Sequence, residues 1–206
     1  ILILGSPTEE AKGVMSVPTR EQADDFLVPL RGRLAVILLH QAAMKTEMGR
    51  FLMGCASALG LDAVVLDTDA FYLSNITTLA RALPNPNGAV LLMTESFEVR
   101  SLLPLLSSSR RLTVVDDLNS LYSLASDRRK SQQLGILMRL LSYNARVNNS
   151  WVVATAYRTE QQKRAWIEQR SLTDLGDLLL DADLEAGRLR FNLIFDRRRA
   201  GPTSSL

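Results

Sequence analysis

The sequence predicts an α/β domain built on a doubly wound, mainly parallel sheet that ends in an antiparallel hairpin. Three observations carry this. Short unbroken runs of Val, Ile and Leu recur along the chain, as strands buried on both faces of a parallel sheet require. Longer segments with helical apolar spacing lie between them, which is the alternation of a doubly wound fold. The last two strand-like runs flank only "EAG", a hairpin signal.

Taken in order, residues 1–30 match no single element and are expected to be a weakly structured lead-in, in which "SVPTREQADDFLVPL" supplies a turn and a short helix. The core is expected over residues 31–202. "LAVILLH" is its first strand, and "TEMGRFLMGCASALG" the helix after it, stopping at Gly60. "DAVVLDTD" is the second strand. "SNITTLARAL" reads as a helix with Ser74 as N-cap, ending before Pro84. "GAVLLMTES" is the third strand, and "FEVRSLLPLL" a helical segment interrupted by Pro104. "RLTVVDDL" is the fourth strand. In "SQQLGILMRLLSYNARV", the clearest helix, Leu134, Leu137, Met138, Leu141 and Ala145 fall on one face. "SWVVATAY" is the fifth strand, "DLLLDADLEAGRLRFNLIFDRR" the hairpin, and residues 203–206 a frayed tail. No internal repeat or low-complexity linker interrupts this order.

Composition bounds the function. A chain of 206 residues, 47% hydrophobic and 22% charged, can bury a full core and is not of the disordered class. A net charge of +2 does not announce nucleic-acid binding, so any basic site must be local. The mean hydropathy of +0.05 leaves apolar surface for a partner. Cys55, the one cysteine, excludes an internal disulfide and fits an intracellular setting, nuclear or cytoplasmic. No apolar run reaches membrane-spanning length, so no membrane partner is expected. The opening "ILILGSPTEE" has no initiator Met and no signal-peptide pattern, so a trimmed start without a secretory leader is expected.

In an open α/β sheet, ligands bind beyond the carboxyl ends of the strands. Four such ends carry polar groups here: "HQAAMKT" with Lys45 and Thr46; Asp67, Thr68 and Asp69; Asp116 and Asp117; and Thr155, Tyr157 and Arg158. A lysine, a hydroxyl and several carboxylates at neighbouring strand ends are the parts of a magnesium–nucleotide site. Each also has an ordinary use as a cap or turn residue, and it is their ordered co-occurrence that points to a site. His40, the lone histidine, is given no role, and no metal site is expected.

With these residues in view, the stretch from Thr19 to Pro202 resembles the ATPase core of the RecA/RadA recombinase family, especially the archaeal and eukaryotic recombinases and their paralogues. "LTVVDDLNSLY" is similar to the Walker B strand of that family. "SQQLGILMRLLSYNARVNNSWVVATAY" is similar to the helix and sensor strand that follow it. "AVVLDTDAFYLSNI" is similar to a segment in which a strand ends in Asp-Thr-Glu and runs into Gly, an aromatic and a helix. "GRLRFNLIFDRRRAGP" is similar to the late hairpin strand, and "TREQADDFLVPLRGRLAVILLH" to the lead-in.

The departures are specific. The Walker A pattern GxxxxGKT would place glycines at Leu39 and Met44, and only Lys45 and Thr46 remain. Those glycines let backbone N–H groups curl around phosphate. The catalytic Glu position holds Asp69, one methylene shorter, and the Gln sensor position holds Tyr157, which has no amide. The resemblance with these departures implies a RecA-like P-loop core with a vestigial nucleotide site at Lys45, Thr46, Asp69 and Asp116. No working cofactor and no ATP hydrolysis are implied. ATP with Mg²⁺ at an unorthodox loop is the alternative.

The same resemblance implies two DNA-binding loops, one holding Arg128, Arg129 and Lys130 and the other Arg158, Lys163 and Arg164, with Arg170 and Trp166 beyond. Lys and Arg would neutralise phosphates of single-stranded DNA. It implies an accessory or mediator subunit in homologous recombination and DNA repair. Such a subunit would pair with a recombinase or recombinase paralogue as a hetero-oligomer, with Met44 at the interface. A purely structural subunit is the remaining reading.

Overall fold

The computed structural model describes residues 2–3, 18–41, 43–74, 88–92, 111–123, 128–157, 176–185 and 188–198. In chain order these form β1 (Leu2–Ile3), α1 (Arg20–Leu27) running into a 3-10 turn (Val28–Leu30), β2 (Arg33–Leu39), α2 (Met44–Leu59) and β3 (Asp62–Asp67). Then follow α3 (Phe71–Ser74), β4 (Gly88–Leu92), β5 (Arg111–Asp116), α4 (Leu118–Ser123), α5 (Arg128–Asn148), β6 (Trp151–Tyr157), β7 (Leu178–Glu185) and β8 (Arg188–Asp196).

The strands make one sheet in the order β1-β8-β7-β2-β6-β5-β3-β4. From β7 to β4 every pairing is parallel; β8 runs antiparallel to β7, and β1 antiparallel to β8. The fold is therefore α/β with a mixed, mostly parallel sheet and a late hairpin. Central strands β2 and β6 are buried almost end to end, which is why they read as continuous apolar runs.

Alternation along the strands divides the core in two. One layer joins Ala35, Ile37, Leu39, Val114 and Val153 to α1 and α2; the other joins Val36, Leu38, Val115 and Ala154 to Leu137, Met138, Leu141 and Ala145 of α5. Four of the five apolar positions expected on one face of the long helix thus meet the sheet; the side chain of Leu134 lies outside the description.

α2 stops where the sequence says it should. Gly60 adopts φ +63, and its N–H donates to the carbonyls of Ala56 and Ser57, a left-handed cap that a Cβ would strain. Inside the same helix, a Cβ on Gly49 would lie 2.7 Å from the ring of buried Tyr72, so this position must be small for α3 to close on α2.

One expectation is corrected here. The lead-in is ordered from Thr19 onward: Thr19 and Gln22 form a capping box for α1, and Ala23, Phe26, Leu27 and Leu30 are core. Phe26 packs on Phe51 of α2 and Phe191 of β8 with ring centroids 4.9 and 4.6 Å away, so α1 covers one layer of the sheet and is integral to it. Trp151 Nε1–H donates to the Leu27 carbonyl at 2.8 Å, fixing where the helix ends. Ser74, the N-cap expected for the next helix, is the last residue of α3, and its Oγ donates to the Ala70 carbonyl at 2.7 Å. The helices expected from 75 to 84 and around Pro104 lie outside the described residues. Among those described, no helix is long and apolar enough to cross a membrane.

Candidate functional site

The carboxyl ends of β2, β3, β5 and β6 converge on one buried ammonium. The turn from His40 to Ala43 leads directly from β2 into α2, with Met44 N–H donating to the Gln41 carbonyl at 3.0 Å. Ala43 is in ordinary right-handed backbone, and no described residue of the turn has a positive φ. The described residues of the turn thus take backbone open to side-chain-bearing residues and do not demand glycine. Lys45, the second residue of α2, turns its side chain inward, and only 2% of the residue is exposed.

There its Nζ donates to both oxygens of Asp69 at 2.7 Å and to Asp117 Oδ2 at 3.4 Å, and pairs with Asp116 Oδ2 at 2.9 Å. The Asp116 contact is an ion pair by distance without hydrogen-bond alignment at that oxygen. The Phe71 ring lies 4.9 Å from the same nitrogen. Burial acts to deprotonate Lys45, but Asp116, Asp69 and Asp117 outweigh it and hold the ammonium well above its usual range. Asp116 is the opposite case. Burial pushes its carboxyl up to about 6 against the pull of Lys45 and of Thr155, whose Oγ1 donates to Asp116 Oδ1.

The acids are placed by their own backbones. Thr68 N–H and Oγ1–H both donate to the Asp116 carbonyl at 2.9 Å, and Thr68 Oγ1 accepts from Asp117 N–H at 2.8 Å, tying β3 to the end of β5 across a cis Asp116–Asp117 peptide bond. Asp117 Oδ1 caps α4 by accepting from Ser120 N–H at 2.7 Å. Asp69 accepts from Phe71 N–H at 3.2 Å over a sharp turn in which Ala70 takes φ +61. Asn119 Oδ1 accepts from Tyr157 N–H at 2.8 Å, holding the end of β6 beside the cluster, and burial pushes the Tyr157 phenol well up.

Of the residues expected in the nucleotide site, Lys45, Asp69 and Asp116 are brought together, and Thr46 is half-buried in the same turn of α2. Asp117, second of the acidic pair, joins them although the sequence reading gave it no separate role. Asp67, Asp69 and Asp116 offer carboxylate oxygens within 4.8 Å of one another, a set that could hold a hard cation were Lys45 displaced.

Met44 is corrected. It is buried in the core beneath α2, 2% exposed, and cannot meet a partner without unfolding the helix start. A residue beside the lysine faces inward because α2 begins there and packs that side on the sheet. Arg128, Arg129 and Lys130 are also corrected: they form the first turn of α5, not a loop. Arg158, Lys163, Arg164, Trp166 and Arg170 lie outside the described residues. His40 is not an isolated turn residue, because its Nε2 lies 2.9 Å from Asp181 Oδ1 and 3.4 Å from Asp183 Oδ1.

No family model matches this chain, and no curated protein is similar to it.

Proposed function

We propose that this chain is a non-catalytic core of the recombinase type, kept as an accessory subunit that binds DNA and a partner in recombination or repair. The observation that carries the loss of catalysis is the position of Lys45. A phosphate-binding lysine must offer its ammonium to a ligand, and here three aspartates and the protein interior already hold it. None of the described residues of the turn before it takes the left-handed backbone that wraps N–H groups around phosphate. Ala70 supports the inheritance of such a core. Its left-handed φ falls where the family has Gly, so the backbone keeps a shape that the present side chain suits poorly.

DNA binding rests on the basic segments. Arg128, Arg129 and Lys130 follow one another at the start of α5, three cations in a row that could neutralise phosphates. A partner finds support in α5 too, where Ile136, Tyr143 and Val147 are exposed at helical spacing.

One observation favours a second reading, an active ATPase. The Asp67–Asp69–Asp116 set is the kind of oxygen cluster that holds Mg²⁺, and nucleotide could draw Lys45 outward. Nucleotide binding separates the two. The purified chain should show no steady ATP turnover and no ATP-dependent rise in melting temperature. A turnover that Thr46→Ala or Asp69→Asn abolishes, with the fold intact by circular dichroism, establishes the ATPase instead. For DNA, affinity for a labelled single strand should fall steeply from low to physiological salt. Replacing Arg128, Arg129, Lys163 and Arg164 together by Ala should flatten that slope; an unchanged slope means that the basic segments are not the site.

A further inference from the structure

A second cluster of ligating side chains lies on the other face of the sheet. β2 and β7 are parallel neighbours with Leu38 opposite Asp181 and Leu39 opposite Ala182. His40 is one step past the end of β2, in line with Asp183 on β7. Leu38 and Leu179 belong to the layer under α5, so strand alternation sends Asp181 and Asp183 to that side, away from the core layer that contains α2. The two strand ends thus bring one imidazole and two carboxylates to one point.

The distances there have a chemical meaning. His40 Nε2 is 2.9 Å from Asp181 Oδ1 and 3.4 Å from Asp183 Oδ1, and the three donor atoms all lie within 4.8 Å of one another. Two ligands on a metal ion with bonds of about 2.1 Å stand roughly 3.0 Å apart at a right angle and roughly 3.4 Å apart at the tetrahedral angle. Those are the two spacings found. His40 Nε2 is itself buried and makes no hydrogen bond, although both oxygens are within ion-pair reach. The nitrogen thus faces two carboxylates without being committed to a hydrogen bond with either. Asp183 is partly exposed, which gives an ion a way in and leaves room for a water as fourth ligand.

We propose that His40, Asp181 and Asp183 form a binding site for a divalent first-row transition-metal ion, with zinc the best fit. One imidazole nitrogen and two carboxylate oxygens are a borderline donor set, and zinc imposes no coordination geometry of its own. Magnesium and calcium, which take oxygen ligands, fit worse. The ion would fasten the turn between β2 and α2 to β7, holding the segment that carries Lys45 from the opposite side of the sheet. This site is independent of whether the chain binds nucleotide or DNA.

The alternative is a plain ion pair between a protonated imidazole and two aspartates, and one experiment separates them. His40 is the chain's one histidine, so every imidazole nitrogen signal in a ¹H–¹⁵N NMR spectrum belongs to it. The full chain, stripped with chelator, is titrated with zinc chloride at pH 7 and in parallel with cobalt(II) followed by visible absorption. The site predicts saturation at one equivalent, a large shift of Nε2 with Nδ1 keeping its proton, and at least a tenfold loss of affinity in Asp183→Asn and in His40→Gln. Asp183 is partly exposed, so its substitution should leave the fold intact; unchanged circular dichroism verifies this. An imidazole with both nitrogens protonated at pH 7 that zinc does not alter overturns the proposal in favour of the ion pair. So does zinc affinity undiminished in His40→Gln, which would put the ion elsewhere.

Discussion

Two buried charge clusters sit at opposite ends of the sheet, and they are built in opposite ways. At the amino end, Asp177 lies among donors. Its Oδ2 accepts from Leu34 N–H at 3.0 Å and Ser142 Oγ at 3.1 Å, Arg146 donates to Oδ1, and Arg197 lies within 3.8 Å. Its backbone is tied as well, N–H to the Leu34 carbonyl and carbonyl to Arg197 N–H. At the carboxyl end the ratio reverses, with the one ammonium of Lys45 set among Asp69, Asp116 and Asp117 and with Asp67 nearby. The first cluster is a staple, since one acid is matched by more donors than it needs. Among the described residues, the second sets three carboxylates around a single ammonium.

The strongest way to break this contrast is Lys45→Met. Removing the cation leaves Asp116 and Asp117 buried without their counter-charge, which costs about 3–5 kcal/mol, read as a shift of the urea midpoint at pH 7. The double variant Lys45→Met with Asp116→Asn should recover part of that loss. If Lys45→Met proves neutral, the acids are protonated or solvated, and the cluster is not held by its lysine.

Acid should act on the two ends with opposite signs. Burial works to raise Asp177, but Leu34 N–H, Arg146 and Ser142 outweigh it and hold its carboxyl below the usual range. Its contribution is therefore complete above the unfolded value of about 3.9 and is lost as the pH falls through the lower, folded value. Asp116 is raised to about 6, so between roughly pH 4 and 6 the folded chain holds a proton that the unfolded chain has released. That term strengthens the fold as the pH drops from 7 toward 4. Asp177→Asn should cost about 1–3 kcal/mol at pH 7 and flatten the stability profile below pH 4. Asp116→Asn should flatten it between 4 and 6. Stability measured from pH 7 to 3 in both variants checks the signs; a loss on acidification already at pH 6 in the parent chain contradicts them.

The smallest effect sharpens the carboxyl end alone. Ala70→Gly removes a left-handed strain of about 1–2 kcal/mol and gives back about 0.5–1 kcal/mol of chain entropy. The variant should be slightly stabilised, by up to about 1 kcal/mol, with the Lys45–Asp69 pair intact. A clear loss in thermal unfolding would mean that Ala70 packs in a way its backbone angle does not reveal.

Much of the fold was legible because buried parallel strands announce themselves. The runs at 34–39, 62–67, 111–116 and 151–157 are apolar on both faces, and "EAG" marks the hairpin. Gly60 stops α2 for a local reason that the sequence prints. The short helix of the lead-in was readable, but its place in the core was not, because α1 has an apolar face of only Ala23, Phe26 and Leu27, and its burial depends on Phe51 and Phe191, which no local pattern links to it. The site was half legible. Lys45, Asp69 and Asp116 could be collected because strand ends in such a sheet share one edge. That Met44 points into the core was not readable, since the phase of a helix at its first residue depends on how the preceding turn delivers it. The nearness of His40 to Asp181 and Asp183 needed the pairing of β2 with β7, strands far apart in the chain.

Cys55 has a use beyond packing. It lies wholly inside the layer between α2 and the sheet, and burial pushes its thiol up to about 12, so the native chain presents almost no thiolate. It is also the only sulfhydryl of the chain. Its reaction with a thiol reagent therefore times how often α2 lifts from the sheet, and α2 is the helix that begins at the lysine. Any ligand or ion that fastens that segment should slow the labelling, so a single residue doubles as a clock for the opening of the site.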